Sequence, residues 1–242
     1  MAYGPALEIQ RERVRRVQAA PGGPAFLLLV EHDPPVITTG RRPCAEQILA
    51  TPGQLAREGI QVHAASRGGG VTYHGPGQLV GYPILRLASI GRSVRTYVHD
   101  LEESLVLALG RFGLGARRVE GLTGVWVGDE KIAAIGVAVT RGVTYHGFAL
   151  NVATNLSHFG LVVPCGLKGR GVTSMSKCLG RPVAVNEVKP ALVDALKEVL
   201  GGPASLSRRP PEAGRPGTAT NELRIADCEL RIRVVHRIGA GR

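Results

Sequence analysis

Aromatic residues and lysine are both scarce in this chain. Four Phe, five Tyr and one Trp are spread over 242 residues, so a core of any size must rest on Val, Leu, Ile and Ala. Few aromatics interleave with the arginines, which leaves base stacking on single-stranded nucleic acid without its usual platform. Of the 30 basic residues only 5 are lysine, and none precedes Lys131. Cysteine is sparse too. Cys44, Cys165, Cys178 and Cys228 stand at irregular spacings without a CxxC pair, which argues against a zinc site or a disulfide scaffold. No apolar run approaches bilayer-spanning length; the longest near the N-terminus is Ala25 to Val30. The first ten residues are mixed and Arg11 to Arg16 is strongly charged, so no charged-then-apolar signal opens the chain. The expectation is a soluble, cytoplasmic protein.

What is present is positive charge. The formal net charge is +11, and residues 203–242 supply +4 of it through 8 Arg against 4 acids. Such a balance suits nucleic acid or an acidic protein partner equally well. Where a positive surface is all that is needed, this chain uses Arg. A lysine therefore marks a place where loss of a proton near neutral pH is useful, although Lys189 and Lys197 read as ordinary helix surface.

Periodicity predicts a first helix over Pro5 to Ala19 with Leu7, Val14 and Val17 on one face. Ala25 to Glu31 reads as a buried strand and Val36 to Thr39 as a short extended piece. Cys44 to Glu58 reads as a helix broken at Pro52-Gly53. Ser93 caps a helix carrying Val94, Val98, Leu101, Leu105, Ala108 and Phe112, which Gly113 ends. Val125 to Val127 and Lys131 to Val139 flank a Gly128-Asp129 turn, a hairpin signal. Val143 to Val152 is a further strand, and Asn186 to Leu200 a second clear helix with Val188, Leu192, Leu196 and Val199 inward. Strands outnumber helices, which implies an α+β domain: a mixed β-sheet with packed helices. The domain is expected to occupy residues 1–202. Residues 203–242 form a Pro/Arg-rich extension in which Leu223 to Val235 alternates, as an added edge hairpin or a loosely attached tail would.

Three segments carry candidate chemistry. The run RGGGVTYHGPGQLVGY spans Arg67 to Tyr82. Gly68, Gly69 and Gly70 permit close backbone approach to a ligand and exposure of N–H groups. Neither a Gly-Lys-Ser/Thr phosphate loop nor the dinucleotide glycine spacing is present. A bulged hairpin turn would use glycines too, but Arg67, Thr72, His74 and Gln78 cluster around them. In DEKIAAIG, Lys131 is flanked by acids as a solvated lysine would be, yet Ala133 and Ala134 leave open volume beside it. In VVPCG, Cys165 sits between Pro164 and Gly166 on a loop, the more accessible context for a nucleophile. Cys178 reads as packing. His74, His146 and His158 are possible bases, and His146 a possible pocket wall.

Together these segments resemble the lipoyl(octanoyl) transferase family. Arg67 to His74 with Gly77, Gln78 and Tyr82 is similar to that family's signature. KIAAIG from Lys131 to Gly136 is similar to its lysine motif, YHGFALN from Tyr145 to Asn151 to its next strand, and PCG with GVTSM (Gly171 to Met175) to its cysteine loop. The resemblance runs from about residue 3 to residue 200 and stops at the tail. It implies a fold shared with biotin protein ligases and lipoate ligases. It also implies an octanoyl group carried from acyl carrier protein through a Cys165 thioester to a lysine of a lipoyl domain, with Lys131 as proton carrier. The acceptors implied are lipoyl domains of 2-oxoacid dehydrogenase complexes or the glycine cleavage H protein. The residues expected to hold substrate are Arg67, Gly68, Gly69, Gly70, Val71, Thr72, Tyr73 and His74, with Ala134, Ile135, Gly136, Gly147, Phe148 and Ala149 forming the acyl slot. No metal, nucleotide, nucleic acid or membrane is implied, and the protein is expected to be a monomer. The competing expectations are an ATP-dependent lipoate or biotin ligase of the same fold, and a non-catalytic basic binding module.

Overall fold

The computed structural model describes residues 1–20, 22–42, 47–163 and 170–202, and the backbone of 232–236. Elements follow in the order α1 (Tyr3–Ala19), β1 (Ala25–Val30), β2 (Val36–Thr39), α2 (Pro52–Arg57), β3 (Gln61–Ala64), β4 (Val71–His74), β5 (Gln78–Ile84), α3 (Val94–Gly110), β6 (Ala116–Val119), β7 (Leu122–Val127), β8 (Glu130–Thr140), β9 (Val143–Asn151), α4 (Met175–Leu179), α5 (Val185–Gly201) and β10 (Ile232–His236). Short 3₁₀ turns cover Leu87–Ile90 and Leu156–Leu161.

Two sheets are formed. The larger has seven strands in the order β10-β1-β5-β9-β8-β7-β6, and the smaller has β3-β2-β4. Both are mixed: β1 runs parallel to β10, and β2 parallel to β3, while the other pairs are antiparallel. The expected α+β class with a mixed sheet and packed helices is what the chain adopts.

Burial explains the layering. Leu27, Leu29, Leu79, Phe148 and Leu150 meet Leu101, Leu105 and Leu109 of α3 and Leu192 and Leu196 of α5 in the main core. Leu28, Val30, Val80, Tyr82 and Ala149, which alternate with them along the strands, face the other way and meet Ala6 of α1. A strand buried on both faces reads as a continuous apolar run, and β1 is buried at every position. Ser93 caps α3 by accepting from the Thr96 N–H at 3.1 Å.

Several expectations change. The buried face of α1 is Tyr3, Ala6, Gln10, Val14 and Val17, with Leu7 only half-buried. Gln10 belongs there because its Oε1 accepts the His146 N–H at 2.8 Å. Pro52 does not break a helix but starts one. At the first helical positions its missing N–H costs nothing, and Thr51 and Gln54 form a capping box around it. The Cys44 end of that expected helix lies outside the described residues. Val94 does not join the core stripe of α3, being exposed, while Val98 is half-buried and packs against the core. The alternating segment in the tail places one described strand, β10, on the sheet edge beside β1.

Candidate active site

A cavity of about 420 Å³ opens between the large sheet and the glycine run. Its floor is made of small residues. Ala134 and Gly136 of β8 stand in register with Ala149 and Gly147 of β9, and alternation puts all four on one face. Val80 extends the row into β5 opposite Ala149. Gly147 has no substitute here, because a Cβ would strike the Gly81 carbonyl and the Pro83 ring. β7 stays in register with β8 only as far as Ala133, so the edge of β8 beyond it is open. The glycine run occupies that edge: the Gly68 N–H donates to the Val137 carbonyl at 2.9 Å.

Arg67 is buried and lies over Gly136. Its Nη2 donates to the Thr38 carbonyl and to Thr38 Oγ1, both at 2.7 Å, which fixes the guanidinium at the cavity wall. Gly69, Gly70, Val71, Thr72, Ile135 and Phe148 also line the cavity. Tyr73 does not. Successive side chains on β4 point to opposite faces, and Tyr73 turns away to hydrogen-bond His158 Nδ1 at 2.8 Å and pack on Phe159. Burial pushes its phenol up to about 12.

His74 is locked rather than free. Gln78 Nε2 donates to Asn151 Oδ1 at 2.9 Å and to the Tyr73 carbonyl at 3.2 Å, so Gln78 Oε1 is left to accept from His74 Nδ1 at 2.8 Å. Asn151 Nδ2 in turn donates to the Thr173 carbonyl at 3.0 Å. Burial holds His74 well below the ordinary histidine range, with the charge of Arg67 adding to the effect. His146 lies at about 4 for the same two reasons. His32 also lies near 4, lowered by burial. Its Nδ1 donates to the Met1 carbonyl at 3.0 Å, so Nε2 accepts from the Tyr82 hydroxyl at 2.7 Å. All three rings are neutral at pH 7, which removes them as cationic partners for a carboxylate ligand.

Lys131 stands at one end of the cavity. Its Nζ lies 4.9 Å from the centroid of the buried Trp126 ring and donates to the Thr123 carbonyl at 3.1 Å. A register shift between Val125 and Trp126 makes room for this arrangement. Gly124, at φ +125°, makes more: a Cβ there would come 2.6 Å from the Ala133 carbonyl oxygen and 3.2 Å from Lys131 Cε. The chain segment after the cysteine motif runs beside Lys131. The Lys131 N–H donates to the Gly171 carbonyl and the Lys131 carbonyl accepts from the Thr173 N–H, both at 3.0 Å. The Glu130–Lys177 ion pair, at 2.8 Å, fastens α4 to the same place. Before the motif, the Val163 N–H donates to the Gln47 carbonyl at 2.7 Å. Cys165 itself lies outside the described residues, as do Cys44 and Cys228. Cys178 is half-buried, with Sγ 3.3 Å from Thr173 Oγ1.

Thus every expected substrate residue except Tyr73 lines one cavity with Lys131. Sequence reading missed Tyr3, Val94, Val98 and Gly121 to Thr123, which also line it. Of these only Val94 carried a signal, as an exposed apolar residue at the start of α3. Among the described residues no group of three or more His, Cys, Asp or Glu could hold a metal, and no helix is long and apolar enough to cross a membrane.

The α+β arrangement of mixed sheets with packed helices is a fold seen in lipoate ligases. The lipoate protein ligase of Thermoplasma acidophilum, solved in a study of that bipartite enzyme and its E2 lipoyl domain, superposes with a TM-score of 0.64 at 22% identity, covering 79% of this chain and 77% of that one. Residues 2–197 match the lipoyl protein ligase A/B catalytic domain, and the chain belongs to that family. An octanoyltransferase of Caldicellulosiruptor saccharolyticus is 47% identical over 201 residues, 82% of this chain and 85% of the relative. One of Myxococcus xanthus is 51% identical over 180 residues, 72% of this chain, which spans only half the length of that relative.

Proposed function

We propose that the chain is an acyltransferase that moves an octanoyl or lipoyl group from acyl carrier protein to the lysine ε-amine of a lipoyl domain. The observation that carries this reading is the position of Lys131. It closes one end of a cavity floored by Ala134, Gly136, Gly147 and Ala149, beside the Gly171 to Thr173 segment that follows the Cys165 motif. The name octanoyltransferase on relatives about half identical supports the chemistry.

In this reading the Cys165 thiolate attacks the donor thioester carbonyl. The C–S bond to the carrier breaks, and the leaving thiolate takes a proton from Lys131. The acceptor amine then attacks the acyl-enzyme and an amide forms. Cys165 leaves as thiolate, and the proton lost by the amine returns to Lys131. N–H groups around Gly70 to Thr72 are the proposed oxyanion donors. A thioester exchange is nearly balanced, so no nucleotide is needed, unlike in the ligase alternative.

The catalytic unit is residues 1–202, with 203–242 an extension. The exposed Arg41 and Arg42 at the cavity mouth fit an acidic carrier protein. The protein works as a monomer in the cytoplasm, with lipoyl domains of 2-oxoacid dehydrogenases or the H protein as acceptors.

The test is intact-mass spectrometry after mixing with octanoyl-acyl carrier protein without ATP, beside Cys165→Ser. One hydroxylamine-labile octanoyl adduct, absent from Cys165→Ser, is expected. Labelling of the acceptor only after ATP and free octanoic acid are added would make the chain a ligase instead.

A further inference from the structure

Lys131 does not hold its place unaided. Its Nζ donates to the Thr123 carbonyl at 3.1 Å. The N–H of that same peptide unit, on Gly124, donates to Glu102 Oε1 at 2.8 Å. In a trans peptide the C=O and N–H point to opposite sides. One amide plane therefore stands between the carboxylate of α3 and the ammonium of β8. Gly124 sits at φ +125°, a conformation from which a glycine peptide turns over with little steric resistance. Were the plane to flip, an N–H would face the ammonium. Glu102, from α3, fixes the plane on the side away from Lys131.

We infer that Glu102 is a positioning residue for Lys131, acting through the Thr123–Gly124 peptide. This rests on the reading of Lys131 as proton carrier. The carboxylate orients the amide, and its charge polarises the carbonyl toward the ammonium, since hydrogen bonds in series strengthen one another. The negative charge also favours the protonated form of the lysine. The other charges around this pair are engaged. Arg118 of β6 acts on Glu102 but is paired with Glu103 at 3.1 Å. Arg170 lies over Trp126 at 5.4 Å. Glu130 is held by Lys177, and Asp129 by Arg117 at 3.3 Å. Burial raises the Glu102 carboxyl, while the Gly124 N–H, Arg118 and Lys131 favour its charge.

The experiment measures octanoyl transfer from octanoyl-acyl carrier protein against pH for the full chain, Glu102→Gln, Glu102→Leu and Lys131→Ala. Glutamine keeps an acceptor for the Gly124 N–H but not the charge; leucine keeps neither. Glu102→Leu is expected to lose about ten-fold or more in kcat with KM nearly constant. Glu102→Gln is expected to stay within about three-fold at its optimum, with the lysine limb of its profile moved down by about half to one pH unit. Profiles that superimpose on wild type would overturn the inference while an inactive Lys131→Ala left the wider reading intact. So would equal losses in both variants without a pH shift, the mark of a merely structural residue. Full activity in Lys131→Ala would overturn both. If Glu102→Leu fails to fold by circular dichroism, the Glu102→Gln profile decides alone.

Discussion

The ammonium of Lys131 lies 4.9 Å from the centre of the Trp126 ring, and that indole is fully buried. The only tryptophan in the chain thus serves as a platform for its first lysine. A cation over an aromatic face is stabilised as a cation, so the ring and Glu102 act in the same direction. In the proposed mechanism both help the lysine hold a proton until the chemistry removes it.

Arginine over the same ring would keep the charge and the stacking but would not release its proton. Lys131→Arg is therefore expected to lose about 100-fold or more of transfer activity, the scale of general acid–base catalysis. The rate of acceptor octanoylation checks this; near-normal turnover would end the proton-carrier role.

Gly124→Ala should be worse for the fold than its chemistry suggests. The residue sits at φ +125°, and its Cβ would press on the Ala133 carbonyl and the Lys131 stem. A loss of about 2 kcal/mol or more is expected, seen as a lower melting temperature together with lost transfer. A variant as stable as wild type would mean that the lysine seat is not tightly packed.

The floor of the cavity should set chain length. Ala134→Leu fills part of it opposite Ala149. Each methylene excluded from apolar contact costs about 0.8 kcal/mol, roughly four-fold in rate. The ratio of hexanoyl to octanoyl transfer should rise accordingly. An unchanged ratio would move the acyl chain away from β8 and β9.

The buried histidines predict acid sensitivity. His32 and His146 lie near 4 in the folded chain and His74 well below its ordinary value, against about 6.5 when unfolded. Between those values the unfolded state binds more protons. Stability is therefore full above about 6.5 and is lost as the pH falls toward about 4, by about 3 kcal/mol each for His32 and His146. Urea midpoints at pH 7.5, 6 and 5 should decline in that order, and His146→Asn should flatten the trend.

Much of this site was legible because its parts are contiguous. The run from Arg67, the KIAAIG strand and the YHGFALN strand each carry several cavity residues, and β-alternation assigns their faces. Tyr73 shows the limit of that reading. It lies inside the motif, but its ring is buried in a separate core cluster with Phe159 and Val162, a long-range packing that the motif does not display. Glu102 was illegible for a different reason. It is one of two adjacent acids on an amphipathic helix, and nothing local distinguishes it from Glu103. The role proposed for it rests on a hydrogen bond to a glycine 22 residues away. Gln10 was hidden similarly, because a helix face that includes a buried amide breaks the apolar period. β3 escaped notice because a short, mostly exposed edge strand has no hydrophobic pattern to show.

β10 pairs with β1 along Ala25 to Leu29, across nearly the whole length of the chain. During synthesis the sheet therefore lacks its outer strand until residue 236 has left the ribosome. Until then β1 presents an open row of backbone donors and acceptors, and any other extended segment can take the empty place. The exposure ends only when residues 232–236 settle beside Ala25 to Leu29.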